Sequence, residues 1–212
     1  MNGYSDPINH ALAFAAKHHD QLVRKGTRAP YLTAAPNVAV ILTRYAQDDE
    51  TVVAGILHDA VEDCVRDGYT QDMLDQRIGD KFGAEALETV LSVVERRYDD
   101  DGVELAADER KEDLLGRLAD ASPRARWVLS ANLVHGAGTL LADLARTDFP
   151  ENVWGRRAGG REATVRWYRR SLDRLVELRF DAAILEELAE MVNALERRSE
   201  ADAPRRTTRS RA

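Results

Sequence analysis

The sequence predicts an all-α, single-domain helical fold. Apolar side chains recur at three- and four-residue intervals along most of its 212 residues. No segment alternates as a half-buried strand would, and no fixed period repeats. Capping residues stand ahead of several of the apolar stripes. With 44% apolar residues, the chain can bury one core of ordinary size.

The elements follow in order. Ser5-Asp6-Pro7 offers a side-chain cap and a proline suited to a first turn. Ile8, Leu12, Ala15 and His19 then share a face, and this helix is expected to end near Gly26. Gly26, Pro30 and Pro36 mark a loop before a second helix, Val38 to Tyr45. Asp48 and Asp49 precede Val52, Val53, Ile56, Leu57 and Val61, an apolar and central helix. Thr70 caps a helix with Met73, Leu74 and Ile78; after Gly83, Leu87, Val90, Leu91 and Val94 form another stripe. Tyr98 to Gly102 reads as an acidic loop, and Ala107 to Ala119 as a helix with Leu114, Leu115 and Leu118 inward. Ser122-Pro123 opens a long helix through Leu144, residues 149–160 read as irregular, and two long helices finish the fold. The helical domain is placed at residues 1–196. From Arg197 to Ala212 there are six arginines, two acids and no large apolar residue, so a flexible basic tail is expected.

Charge limits the partners. The net charge is −7, and removal of the basic tail leaves the body near −11, which argues against nucleic acid as its partner. Residues 1–6 lack the pattern of a secretory leader, and no run approaches the ~18 apolar residues of a membrane span. A cytoplasmic protein without a membrane role is expected, and self-association is left open. Cys64 is the only cysteine, so no disulfide framework exists.

The chemistry concentrates in Gly55-Ile-Leu-His58-Asp59-Ala-Val-Glu62-Asp63. On a helix, His58 and Glu62 share one face, and Asp59 and Asp63 share another about 100° away. Such a cluster is costly to bury without metal, partner charges or water. Adjacent His and Asp can give a metal one imidazole and one carboxylate, while the next turn supplies acid/base carboxylates.

With Ala13-Phe-Ala-Ala-Lys-His-His19, Arg24-Lys25-Gly26, Pro30-Tyr31-Leu32, Leu140-Leu-Ala-Asp143-Leu144 and Trp154 to Arg169, this segment resembles the HD-domain hydrolases related to SpoT and the small-alarmone hydrolases. The resemblance covers about residues 8–196 and implies an HD-type helical bundle. It further implies a divalent metal, usually manganese, held by a His, a His-Asp pair and a later Asp. Its alarmone-hydrolysing members remove pyrophosphate from the 3′ position of guanosine tetraphosphate.

Two of the implied ligands are replaced. The first metal His falls at Ala34, and the last metal Asp falls at Asn132 in Leu129-Ser-Ala-Asn132-Leu-Val-His135. His58 and Asp59 remain as metal ligands if a metal is retained, a weaker set than two imidazoles and two carboxylates. No cofactor is expected unless Glu62 or a substrate phosphate completes a manganese site. Lys17, Arg24, Lys25 and Arg28 are the expected anion contacts, with Asn132 and His135 in the same cavity. Arg156, Arg157 and Arg161 form a second basic group, read as a loop packed on the helix of Trp167 and Tyr168. The expected function is binding of a small anionic molecule, as a sensor or as a metal-independent enzyme using His58, Asp59, Glu62 and Asp63. A manganese-dependent alarmone phosphohydrolase and a non-catalytic scaffold are the alternatives.

Overall fold

Ser5 caps the first helix, α1 (Asp6–His18), accepting the Ile8 amide, with Pro7 in the opening turn. The computed structural model describes residues 5–20, 22–23, 28, 30–63, 70–99 and 101–203, excluding the side chains of Glu62 and Asp63. α1 ends at His18, well before Gly26. The chain leaves the helix because the Leu22 carbonyl receives the Tyr31 amide and Val23 bridges Pro30, which ties the two ends of the loop together. A 3₁₀ turn, Tyr31–Thr33, leads into α2 (Ala34–Arg44). α2 starts four residues before Val38 because Pro36 sits in its first turn, where no amide donor is needed.

The third helix, α3 (Asp49–Asp63), is apolar on every side. All residues from Thr51 to Val61 are buried, as befits a helix enclosed by others. Asp48 caps it, accepting the Thr51 amide at 2.9 Å and pairing with Arg124 at 2.8 Å. Burial alone would push the Asp48 carboxyl up, but Arg124 and Thr51 outweigh this and hold it at about 2. A depressed folded-state value contributes stability above the ordinary value of 3.8, and that contribution is lost as pH falls toward 2. The side chain is 48% exposed, so solvent screening limits the effect to about 1 kcal/mol. In urea titrations, wild type is expected to exceed Asp48→Asn by about this amount at pH 6, with the gap narrowing as pH falls from 3.8 toward 2. A gap independent of pH would refute this assignment.

Thr70 caps α4 (Gln71–Phe82), and Gly83, at φ +90°, turns the chain into α5 (Ala84–Val93). Leu74, Ile78, Val90 and Val94 face the core, whereas Met73 and Leu91, expected inside, are 40% and 37% exposed. Asp99 closes the acidic turn by accepting the Asp101 and Val103 amides. α6 (Ala107–Arg117) follows, with Leu114, Leu115 and Leu118 buried. Ser122 then caps α7 (Pro123–Ala145). Residues 149–160 are not wholly irregular, since Pro150 starts a short helix, α8 (Pro150–Trp154). α9 (Gly160–Glu177) and α10 (Ile184–Ala201) complete the described chain.

α3 packs against α1, α2, α4, α5 and α7, while α7 also meets α8, α9 and α10. These two helices form the axis of an all-α bundle. Among the described residues, the only β pairings are two isolated bridges. Gly55 admits α2: a Cβ there would stand 2.5 Å from Leu42 Cδ1 and 3.1 Å from Val38 Cγ1. α7 alone among the described helices has the length and apolarity of a membrane span, contrary to the expectation that no run comes close. Half of that stretch is enclosed by the fold, so its apolarity serves the core.

The expected tail start at Arg197 also shifts. α10 continues to Ala201, and Asp202 beyond it is fastened to the body. Its carboxylate accepts Trp154 Nε1 and Arg198 Nε, each at 2.9 Å, and its carbonyl accepts Arg161 Nη1 at 2.9 Å. Residues 204–212 lie outside the described residues.

Candidate functional site

The buried centre of the site is His58-Asp59, on the last turns of α3. His58 is fully buried, with Nδ1 2.7 Å from the Gly55 carbonyl and Nε2 3.0 Å from Asp59 Oδ1. Nδ1 is thus held by the helix backbone, while Nε2 lies beside the Asp59 carboxylate. Asp59 is 6% exposed, and its Oδ2 has no hydrogen-bond partner among the described residues. Burial pushes the Asp59 carboxyl up, but the adjoining His58 ring outweighs this, assisted by His19 and His135, and holds it below the ordinary value.

Asp59 opens onto a cavity of about 230 Å³. Ala34, at the start of α2, forms one wall; Asn132 and His135, one turn apart on α7, form another. The family's expected ligand positions thus converge in space, with a methyl group and a neutral amide at two of them. Tyr168 closes the far side. It approaches α7 because residue 136 is glycine, where a Cβ would stand 2.6 Å from the Tyr168 hydroxyl.

Two charged residues missing from the expected set also line the cavity. Glu95 follows the buried pair Val93-Val94 at the end of α5, and Arg157 follows α8. Burial raises the Glu95 carboxyl above its usual range, with Lys111 and Arg110 offsetting part of the rise. Arg157 was expected to pack as a loop residue, but its position just before the left-handed Gly159-Gly160 turn brings it to the cavity. The packing role falls instead to Arg161, through Asp202. Tertiary contacts, which no local pattern records, bring Glu95 to the cavity.

The expected anion contacts separate. Lys17 lies on the exposed side of α1 and Arg28 is exposed; neither lines the cavity. Arg24 and Lys25 lie outside the described residues, as do Cys64 and the side chains of Glu62 and Asp63. His19 is buried, with Nδ1 2.9 Å from the Ala15 carbonyl and its ring stacked on Tyr31, which fits a packing role.

Residues 11–115 match a family model for the HD domain, and they supply Ala34, Asp59 and Glu95 of the cavity, whereas Asn132, His135 and Arg157 come from later residues. The chain belongs to the HD-domain superfamily. This HD-domain protein is 30% identical over 123 residues to a guanosine-3′,5′-bis(diphosphate) 3′-pyrophosphohydrolase of Aquifex aeolicus (strain VF5), an overlap that covers 55% of this chain and 17% of that protein. A solved metazoan ortholog of SpoT, described as hydrolysing ppGpp with a role in starvation responses, matches with a TM-score of 0.67 and 25% identity. That match covers 90% of this chain and 96% of the solved one. A Listeria monocytogenes EGD-e structure, at TM-score 0.61 and 24% identity, covers 78% of this chain and 97% of its own, and supports the fold alone.

Proposed function

We propose that this SpoT-like HD-domain protein binds a small ligand bearing an anionic group in the cavity beside Asp59, without the metal-dependent hydrolysis implied by its resemblance. The observation that carries this reading is the presence of Ala34 and Asn132 on the walls of the same cavity as Asp59. The described donors do not fit a manganese centre of the family kind. Ala34 has no donor atom and Asn132 offers only a neutral amide, which leaves His58 and Asp59 as the described members of the implied ligand set. Among the described residues, no group of three or more His, Cys, Asp or Glu side chains is placed to hold a metal.

Arg157 supports the anion, since a guanidinium suits phosphate or carboxylate. Among the described residues, Asp59, Glu95 and His135 line the pocket as groups capable of proton transfer, with His58 beside Asp59; Glu62 and Asp63 belong to the same reading by their place on α3. Occupancy of the cavity without turnover would make the protein a sensor; proton transfer would make it an enzyme.

A second reading, a manganese-dependent phosphohydrolase of guanosine tetraphosphate, is favoured by the retained His58-Asp59 pair and by the activities named for the Aquifex and metazoan relatives. Calorimetry with manganese chloride, alongside a pyrophosphate-release assay on guanosine tetraphosphate, separates the two. The first reading expects no stoichiometric manganese and no release. One manganese per chain, lost in His58→Ala, together with pyrophosphate release would establish the second. A scaffold role would be indicated by the absence of both metal and small-ligand binding.

A further inference from the structure

The cavity contains an acid and a base that do not pair with each other. Among the described residues, neither Glu95 nor Arg157 forms a side-chain hydrogen bond or ion pair. The cations nearest Glu95 are otherwise engaged: Lys111 Nζ lies over the Trp167 ring at 5.4 Å, and Arg110 donates to the Leu105 carbonyl at 2.9 Å. Both Glu95 and Arg157 are partly buried, so water compensates each incompletely.

We propose that the cavity selects a small zwitterion, its anionic end on Arg157 and its ammonium on Glu95. This rests on the small-ligand reading above and narrows its ligand class. The 230 Å³ volume lies below the roughly 300–1,000 Å³ typical of drug-sized pockets, which favours a ligand of amino-acid size. Glu95 is thus a specificity residue, whereas Arg157 supplies the common anchor.

The test uses the full chain in EDTA-containing buffer, with O-phosphoethanolamine and ethyl phosphate as calorimetric probes that differ by the amine. Phosphoethanolamine should bind about tenfold more tightly, the scale of one charge-assisted contact. Glu95→Gln should abolish the preference, Glu95→Lys should reverse it, and Arg157→Met should remove binding of both probes. Circular dichroism checks that each variant is folded, and the wild-type comparison stands without any variant. Equal binding of the two probes would overturn the zwitterion inference while leaving the anion-binding reading intact. So would a preference that survives Glu95→Gln. If wild type bound neither probe, both would fall.

Discussion

The double substitution Ala34→His and Asn132→Asp is expected to convert the cavity into a manganese site. Ala34 and Asn132 face the same space as Asp59, so the new imidazole and carboxylate would join His58 and Asp59 in the four-ligand set implied by the family resemblance. Loss of even an outer-shell partner commonly costs 10- to 100-fold in metal affinity, so two added direct ligands should raise affinity by at least about a hundredfold. Ala34 lines the cavity, so an imidazole at that position would extend into it. Asn132→Asp is nearly isosteric, so most of the structural risk lies in Ala34→His, which the single variants would expose. Manganese titration by calorimetry or electron paramagnetic resonance reads the result directly. If wild type bound one manganese as tightly as the double variant, the two native replacements would not limit the site, and the metal-independent reading would fail. Pyrophosphate release from guanosine tetraphosphate, gained only in the double variant, would further show that the surrounding fold retains hydrolytic capacity.

The legibility of these features followed their physical range. Ser5, Thr70 and Ser122 marked helix starts because a cap is a contact between residues three apart, wholly contained in the local sequence. α3 was readable as central because its apolar residues cover every face. The end of α1 was not, since it depends on Leu22 meeting Tyr31 across a loop. Met73 and Leu91 fitted apolar stripes, but each sits at the margin of its helix's packed face. At the site, His58, Asp59 and Asn132 stood in recognisable motifs. Glu95 and Arg157 did not, because each reaches the cavity only through the packing of α5 and the turn between α8 and α9. Lys17 showed the reverse: sequence proximity to a motif placed it in the binding set, whereas the helical period turns it to solvent.

Asp202→Ala should produce the largest loss of stability among single changes outside the core. The Asp202 side chain is only 8% exposed and joins three elements: Trp154 of α8, Arg198 of α10 and, through the backbone at 202, Arg161 of α9. Removing the carboxylate leaves the Trp154 indole N–H and the Arg198 guanidinium without their acceptor. A hydrogen bond to a charged group contributes about 1.5–3 kcal/mol, and stranding a partly buried cation adds to the loss. Arg198 is 33% exposed and can recruit water, so the combined cost should be about 2–3 kcal/mol rather than the larger penalty of a fully buried pair. Asp202→Asn should recover part of it, because its amide oxygen can still accept the indole proton. The measurement is the urea midpoint at unchanged slope, with Trp154 contributing to the fluorescence signal. The same variant reports on function, since Trp154 and Arg161 flank the turn carrying Arg157. Loosening that turn should weaken O-phosphoethanolamine and ethyl phosphate by the same factor, leaving their ratio unchanged, because the common anchor moves while Glu95 stays on α5. A loss confined to one probe would show that Asp202 acts by another route, and full stability in Asp202→Ala would remove it as the fastening point of α10.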